Sequence, residues 1–233
     1  MSNETPYRPR FFALIPCAGS GSRAGTCVPK QYHVLFGQPM VLHTLAAFAA
    51  VPRIADLLVV VSPQDESFEA FSSPFIVADC GGETRAQSVM NGLDRLFEVG
   101  ADRRDWVLVH DAARCLILPS QIEVLIDACE HDPVGGLLAH RLADTLKHAT
   151  PEGRVAKTLD RSGKWLAQTP QMFRLGALLD ALQQGGSRVT DEAAAMEAAG
   201  HAPLLVAGSA QNFKVTFPED FALAEAILRS RVA

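Results

Sequence analysis

The chain has 233 residues, 48% of them hydrophobic and 20% charged, an ordinary composition for a globular protein with a sizeable buried core. A net charge of −5 argues against a general nucleic-acid binder, so a polyanionic ligand needs a local basic cluster. Five widely spaced cysteines without a C-x-x-C pair indicate neither a disulfide framework nor a zinc site, and they favour a reducing cytoplasm.

The first element in chain order is a predicted strand at Phe11–Ile15, where consecutive apolar residues are typical of a strand buried on both faces of a parallel sheet. This run is too short for the hydrophobic region of a signal peptide, and Pro16 interrupts it. No apolar stretch elsewhere is long enough to span a bilayer. We therefore expect a cytoplasmic protein without a membrane partner.

Strand and helix patterns then alternate along the chain. Further strands are predicted at 57–62, 75–78, 106–110, 135–139 and 204–207. Helices are predicted at 40–50, 85–99, 119–131, 174–184, 190–199 and from 218 to about 231. The repeated strand-then-helix order predicts an α/β fold, with a doubly wound, mostly parallel, Rossmann-like sheet in one domain covering residues 1–233.

Residues 140–168 break this order, because they are rich in charge and lack apolar periodicity. A structureless loop of this length inside a compact domain is improbable. We therefore predict a projecting arm, a β-hairpin that turns near residues 151–153.

A glycine- and serine-rich segment follows the first strand and carries Arg23 and Lys30. Small side chains let backbone N–H groups turn towards an anion, and two cations add charge, so this segment suits a polyphosphate. Two alternatives stay open here. Gly19-x-Gly21-x-x-Ala24 also satisfies a dinucleotide-binding fingerprint, and the glycine pattern taken alone favours a flexible strand-to-helix turn.

A second cluster, Gly81–Val89, lies where a predicted strand enters the long helix. The carboxyl ends of parallel strands face the ligand crevice, so Gly81 and Gly82 allow close backbone approach and Ser88 can hydrogen-bond a base edge. A simple turn followed by a first helical turn explains the pattern equally well.

A third cluster, His110–Arg114, ends the predicted strand at 106–110. A carboxylate at that position, Asp111, is a common ligand for a hard divalent cation such as Mg²⁺. Alternatively, Arg114 pairs with Asp111 only to fix the loop. His110 by itself is more typical of a hydrogen-bonded core histidine than of a ligand.

Two later clusters complete the set. Thr190 suits a helix N-cap, with Asp191 and Glu192 complementing the helix dipole. Lys214 is predicted within a short apolar strand, where an unpaired ammonium is costly. We expect a fixed anionic partner for it, a carboxylate or a bound phosphate, with the carboxylate slightly favoured.

Taken in order, these clusters resemble the 2-C-methyl-D-erythritol 4-phosphate cytidylyltransferase family, CTP-using enzymes of non-mevalonate isoprenoid biosynthesis. Asp144-Thr145, Asp160-Arg161 and Thr169-Pro170-Gln171 add to the resemblance, which runs from Phe12 to about Leu228. It implies a nucleotidyltransferase-type fold and transfer of CMP from CTP to 2-C-methyl-D-erythritol 4-phosphate, releasing pyrophosphate.

The resemblance also implies roles for individual residues. The implied catalytic residues are Arg23, Lys30 and Lys214, and the implied Mg²⁺ ligand is Asp111. The implied nucleotide-binding residues are Ala18, Gly19, Gly21, Gly82, Glu83, Ser88 and Ala112. The implied substrate-binding residues are Thr145, Arg161, Thr169, Thr190 and Arg114. The family further implies a homodimer through the arm, with Arg161 over the neighbour's acceptor site and no nucleic-acid partner.

The chain departs from the family pattern at Cys17, Ala24 and Cys115. Cys115 replaces a usual proline and puts the role of Arg114 in doubt. No second domain follows Ala233, so we expect a monofunctional enzyme rather than a fusion with a cyclodiphosphate synthase.

Three other functions are weighed against this one. They are a cytidylyltransferase for another polyol phosphate such as ribitol 5-phosphate, a nicotinamide-dependent oxidoreductase, and a non-catalytic nucleotide-binding regulator. The oxidoreductase is disfavoured because Gly25 and Pro29 prolong the glycine-rich segment. In addition, the second strand ends Val61-Ser62-Pro63 without the acid that this class needs.

Overall fold

A seven-stranded sheet forms the centre of the computed structural model, which describes residues 7–19, 29–71, 74–186 and 189–232. The strands, including those of two small separate hairpins, are β1 Phe11–Pro16, β2 Val34–Leu35, β3 Gln38–Pro39, β4 Ile54–Val60, β5 Ile76–Ala78, β6 Trp106–Val109, β7 Gly135–Arg141, β8 Leu146–Ala149, β9 Val155–Leu159, β10 Trp165–Arg174 and β11 Leu204–Ala207. The helices are α1 Met40–Ala49, α2 Arg85–Glu98, α3 Pro119–Cys129, α4 Leu175–Gly185, α5 Glu192–Ala198 and α6 Pro218–Ser230, and a 3-10 turn covers Lys30–Tyr32.

The strand order in the main sheet is β11-β7-β10-β6-β1-β4-β5. All neighbours in it are parallel except β10, which runs antiparallel to both β6 and β7. The chain moves outward from β1 to β4 and β5, then returns to place β6 on the other side of β1. The order therefore reverses beside β1, and ligands of open α/β sheets bind at such a point.

Alternate residues of the central strands bury into two different cores, because successive side chains of a strand point to opposite faces. Ala13 and Ile15 of β1 pack on the face covered by α1 and α3. Phe12 and Leu14 pack on the opposite face, under α2, α4 and α5. Both faces of the sheet are thus covered, which explains the uninterrupted apolar run in β1.

The first residues of three helices explain where these helices begin. The Thr84 side chain caps α2 by accepting the Gln87 N–H at 3.1 Å. Pro119 begins α3, where its missing N–H costs no helical bond, and Pro218 begins α6 in the same way. Within the described ranges, no helix combines the length and apolar character needed to cross a membrane.

The predicted α/β class with a mostly parallel sheet is confirmed, and the predicted helices and strands are found with ends displaced by a few residues. The hairpin in the arm is also present, because β8 and β9 pair antiparallel across residues 150–154.

The strands differ from the predicted ones in two places. The strand β10 was missed because its centre, Gln168–Gln171, is polar and contains a proline, which argues against a central strand. The pairing with β7 shifts register between Ala167 and Gln171, and this irregularity accommodates those residues. The predicted strand around Lys214 does not form. Residues 213–216 are irregular, with the Val215 N–H donated to the Ala113 carbonyl at 2.9 Å.

Candidate active site

A cavity of about 530 Å³ opens at the carboxyl ends of β1 and β6. Its walls come from the segment after β1, the turn before α2, the segment after β6 and the stretch before α6. The lining residues include Ala18, Gly19, Lys30, Gly82, Glu83, Ser88, Asp111, Ala112 and Lys214. The structure therefore brings together most of the residues predicted for nucleotide binding, catalysis and metal binding.

Ala18 and Gly19 form the wall that continues from β1. The turn before α2 approaches this wall closely, since a Cβ atom added at Gly81 would overlap the Ala18 side chain and would also lie only 2.7 Å from the Val61 carbonyl oxygen just beyond the end of β4. Glycine at that position allows the close approach predicted from the sequence. Gly21, Arg23 and Ala24 lie outside the described residues, so their predicted roles stay predictions.

The turn before α2 is held by its own side chains. The Ser88 hydroxyl accepts the Gly82 N–H at 3.0 Å and donates to the Thr84 carbonyl at 3.0 Å. Ser88 is therefore both a wall of the cavity and the residue that fixes the turn. Its predicted contact with a base edge stays a prediction.

The centre of the site is a cluster of charges around Asp111. Arg85 Nε donates to Asp111 Oδ1 at 2.8 Å, and Lys214 Nζ lies 2.9 Å from Asp111 Oδ2. Arg114 Nε is more distant, 3.8 Å from the same oxygen. Lys214 thus has the carboxylate partner that was slightly favoured from the sequence.

Arg85 extends this cluster to the other side of the cavity wall. Its Nη1 and Nη2 atoms donate to the two carboxylate oxygens of Glu192 at 2.6 and 3.1 Å. Glu192 is fully buried, and this fork-like pairing compensates its charge. Three cations face two carboxylates, so the cluster of Arg85, Asp111, Arg114, Glu192 and Lys214 has a positive excess.

The positive excess determines the protonation state of Asp111. Burial alone would raise the pKa of its carboxyl, but the charges of Arg85 and Lys214 outweigh burial and lower that pKa far below its usual range. Asp111 is therefore ionised at neutral pH. A polyphosphate entering the cavity meets cations already held in place by this carboxylate.

Lys30 and Lys214 reach the cavity from different parts of the chain. Lys30 lies in the 3-10 turn Lys30–Tyr32, and its Nζ donates to the Val215 carbonyl at 2.8 Å. Val215 is the residue after Lys214. The Lys30 ammonium group is therefore bound to the backbone of the residue next to Lys214, which brings the two cations to the same part of the cavity wall.

Thr169 and His110 lie behind Asp111 and do not line the cavity. The Thr169 hydroxyl accepts the Asp111 N–H at 3.0 Å and lies 3.0 Å from His110 Nδ1. The His110 ring is fully buried and also bonds the Arg114 carbonyl through Nε2 at 3.2 Å. His110 is the hydrogen-bonded core histidine expected from the sequence. The substrate-binding role predicted for Thr169 stays a prediction.

Arg114 is anchored to backbone rather than to the loop carboxylate alone. Its Nη1 and Nη2 atoms donate to the carbonyls of Asn212 and Ala167 at 2.7 and 3.3 Å, and burial lowers its pKa. Cys115, which replaces the family's usual proline, packs in the core beside α6. These contacts hold Arg114 without a proline.

The remaining predicted residues do not line this cavity. Thr145 and Arg161 are exposed in the region of the β8–β9 hairpin. Thr190 lines a second cavity of about 390 Å³, which shares Thr84 and Arg85 with the first. The predicted N-cap role of Thr190 was wrong, because the side chain of the next residue, Asp191, accepts the Ala194 N–H at 2.9 Å instead.

Arg85 belongs to the cluster Gly81–Val89 and Glu192 follows Thr190 and Asp191, but neither was predicted as a site residue. Glu192 was assigned only to the helix dipole, and its burial against Arg85 corrects that interpretation. The available signal was a charged residue opening each helix beside a candidate site.

A doubly wound α/β sheet with a basic, glycine-lined cavity at its switch point is typical of nucleotide-binding proteins. A family profile described as 2-C-methyl-D-erythritol 4-phosphate cytidylyltransferase matches residues 11–230. The chain therefore belongs to the 2-C-methyl-D-erythritol 4-phosphate cytidylyltransferase family, and the predicted cytidylyltransferase class is confirmed.

Individual relatives agree. The chain is 67% identical over 231 residues to a bifunctional enzyme IspD/IspF of Albidiferax ferrireducens, covering 98% of this chain and 55% of that protein. It is 55% identical over 227 residues to a 2-C-methyl-D-erythritol 4-phosphate cytidylyltransferase of Burkholderia vietnamiensis, covering 94% of this chain and 96% of the other.

A crystal structure of a 4-diphosphocytidyl-2C-methyl-D-erythritol synthase matches with a TM-score of 0.84 and 39% identity, covering 95% of this chain and 100% of that one. Because the chain spans about half of the bifunctional relative, the expectation of a monofunctional enzyme stays a prediction.

Proposed function

We propose that the chain transfers CMP from CTP to 2-C-methyl-D-erythritol 4-phosphate. A phosphate oxygen of the acceptor attacks the α-phosphorus, the bond to the β-phosphate oxygen breaks, and pyrophosphate leaves. A phosphate monoester is already ionised near neutral pH, so the reaction needs no general base. The observation that carries this proposal is the pair Lys30 and Lys214 on the wall of one cavity beside Asp111.

The barrier to this reaction is electrostatic. Two polyanions must meet, and negative charge gathers on the α-phosphate. Fixed cations that exist before the substrate arrives stabilise that charge without reorganisation. Lys30 and Lys214 fit this role because backbone and carboxylate contacts hold both ammonium groups. Arg23 is proposed to act with them on the basis of the family resemblance.

Asp111 is the proposed ligand for Mg²⁺. Mg²⁺ is usually bound by one or two carboxylates together with substrate phosphates. Arg85 and Lys214 each occupy one Asp111 oxygen, and a carboxylate has about four lone-pair sites, so capacity for a hard cation is left. When bound, the ion would neutralise phosphate charge. The positive excess of the cluster favours entry of the metal together with CTP.

Recognition of the two substrates is divided between the two cavities. Gly82, Glu83, Ser88 and Ala112, with Ala18 and Gly19, are proposed to bind the nucleotide in the larger cavity. Thr190 is proposed to contact the acceptor from the adjoining one. Arg114, Thr169 and, from the arm, Thr145 and Arg161 are proposed acceptor residues through the family resemblance.

One assay tests the proposed activity against its rivals. Pyrophosphate release is measured with CTP, Mg²⁺ and either 2-C-methyl-D-erythritol 4-phosphate or ribitol 5-phosphate, and NAD(P)H oxidation is followed in parallel. We expect release only with the methylerythritol phosphate. Release with ribitol 5-phosphate alone would reassign the acceptor, and no release with either would leave a binding protein.

We further propose a homodimer in which Arg161 serves the acceptor site of the partner subunit. Arginine presents a planar fork suited to phosphate, and Arg161 is exposed in the arm rather than in its own cavity. The test mixes two nearly inactive variants, Arg161→Glu and Lys214→Glu, by unfolding and refolding them together.

If Arg161 acts across the interface, each mixed dimer contains one site without either substitution. Random pairing makes about half of the dimers mixed, so roughly a quarter of wild-type activity should return. If Arg161 serves its own subunit, every site keeps one defect and activity stays at background, which would reject the shared site.

A further inference from the structure

Two polar side chains hold the backbone at the end of β1, at three consecutive carbonyls. Gln31 Nε2 donates to the carbonyl oxygens of Cys17 and Gly19, both at 2.9 Å. The Ser62 hydroxyl donates to the carbonyl oxygen between them, that of Ala18, at 3.0 Å. Neither Gln31 nor Ser62 has a role in the function proposed above.

These contacts also fix the backbone N–H groups that belong to the same peptide units as the carbonyls. Within each peptide unit the N–H points opposite to the C=O, so holding the Cys17 and Ala18 carbonyls also sets the directions of the Ala18 and Gly19 N–H groups. Ala18 and Gly19 line the cavity. Backbone N–H groups in a fixed array bind anions such as phosphate.

The turn that carries Gln31 is itself anchored at every residue. Lys30 binds the Val215 carbonyl, and the Tyr32 hydroxyl donates to Asp65 Oδ2 at 2.5 Å. Gln31 lies between them and is only 5% exposed. Its amide group therefore has little freedom to leave the two carbonyls, and it links the end of β1 to the turn bearing the catalytic lysine.

We infer that Gln31 is a positioning residue that preforms the phosphate-binding backbone at Ala18 and Gly19, with Ser62 as a weaker second anchor. This inference rests on the proposed function, since it assigns the triphosphate of CTP to that backbone. A residue with this role affects binding of phosphates, whereas a residue that only stabilises the fold affects every ligand alike.

The test compares Gln31→Met with a matched control, Gln168→Met. Gln168 is also 5% exposed, and its Nε2 also donates to a backbone carbonyl, that of Ser209 at 2.8 Å, but it does not line the cavity. Dissociation constants for CTP, inorganic pyrophosphate and cytidine are measured by calorimetry with Mg²⁺, and unfolding midpoints are recorded for each protein.

We expect Gln31→Met to raise the dissociation constants for CTP and pyrophosphate about ten- to a hundredfold, because two hydrogen bonds are lost. Cytidine binding should not change, and Gln168→Met should bind all three ligands like wild type. Ser62→Ala, which loses one hydrogen bond at a less buried position, should show a smaller rise for the two phosphate ligands.

Wild-type affinity of Gln31→Met for pyrophosphate, or an equal loss for cytidine, would overturn the inference. If Gln31→Met does not fold, Ser62→Ala decides, and unchanged pyrophosphate binding by it would count against the anchor. The binding series needs no turnover. A wild type that binds pyrophosphate but releases none from CTP would reject the proposed function, whereas a failed binding series in an active enzyme would reject only the positioning role of Gln31.

Discussion

Strand β6 has a buried aspartate beyond each end, and the two are stabilised differently. Asp105, before the strand, is fully buried and accepts the backbone N–H groups of Arg10 and Asp102, the Arg10 guanidinium and the Tyr7 hydroxyl. Asp111, after the strand, is bound by the side chains of Arg85 and Lys214 and borders the cavity.

The difference distinguishes a carboxylate that serves the fold from the one proposed to bind Mg²⁺. Backbone donors cannot leave Asp105 without unfolding the chain locally, so that carboxylate serves the fold. The cations around Asp111 are on side chains, and Lys214 also faces the cavity, so it is available to a phosphate. A carboxylate that holds side-chain cations in place at a cavity wall prepares a site for a polyanion.

Removing one cation at each end is expected to produce the largest contrast. Lys214→Ala should lower kcat/KM by about 10²- to 10³-fold, since one preorganised stabilising group is typically worth roughly 2.7–4 kcal/mol. Arg10→Ala should leave kcat/KM near wild type, because the Arg10 side chain is half-exposed and Asp105 keeps its backbone donors. Steady-state kinetics of the two variants check this.

Circular dichroism and thermal unfolding provide the control that both variants fold. Near wild-type turnover in a folded Lys214→Ala protein would place Lys214 with the structural residues and remove the contrast between the two ends. The same substitution at Lys30 should resemble Lys214→Ala rather than Arg10→Ala.

The sequence singled out Asp111 and Lys214, which both line the cavity, but not the network that joins them. Arg85 and Glu192 are 107 positions apart, and only the tertiary fold brings their charges to 2.6 Å. The apolar pattern also predicted the central strands β1 and β6, whose uninterrupted apolar runs are buried on both faces of the sheet. It missed β10, whose polar centre fits the sheet through an irregular register that no local pattern reveals.

Neutralising each carboxylate is expected to give a smaller but equally distinct contrast. Asp111→Asn keeps the shape and removes the charge that a hard cation needs, so the Mg²⁺ concentration for half-maximal activity should rise by about tenfold or more. Asp105→Asn should leave that concentration unchanged and lower the free energy of unfolding by roughly 1–3 kcal/mol, because backbone donors lose an acceptor.

Mg²⁺ titrations of activity and urea unfolding curves measure the two effects. An Asp111→Asn enzyme with an unchanged Mg²⁺ titration would mean that Asp111 only organises Arg85 and Lys214. In that case the two ends of β6 would differ in their partners but not in metal binding.

The third contrast concerns stability alone, because His110 and Asp105 are expected to lower the free energy of unfolding in different ranges of pH. Burial alone would raise the pKa of Asp105, but hydrogen bonds from Asp102, Tyr7 and Arg10 lower it. Its stabilisation is therefore present above about pH 4, the unfolded pKa, and is lost only below that. At the other end, burial lowers the pKa of His110 to about 3.

Because the pKa of His110 is lowered by folding, the unfolded chain binds a proton there more readily than the folded chain does. The free energy of unfolding therefore falls as pH drops below about 6.5. The hydrogen bonds of the His110 ring explain why the folded protein disfavours this proton. The Arg114 carbonyl can only accept, so His110 Nε2 donates to it and Nδ1 accepts from the Thr169 hydroxyl. Protonation of Nδ1 would make it a donor, so the Thr169 hydroxyl could no longer donate to it and would have to reorient. This would disturb the hydrogen bond that the hydroxyl accepts from the Asp111 N–H.

Between pH 7 and pH 5, His110 should therefore remove about 2 kcal/mol from the free energy of unfolding. Urea unfolding at both pH values should show this loss in the wild type and in His131→Asn, whose ring is almost fully exposed, but not in His110→Asn. An equal loss in all three proteins would show that His110 is not the group that titrates. The carboxyl end of β6 would then be no more sensitive to mild acid than the end that carries Asp105.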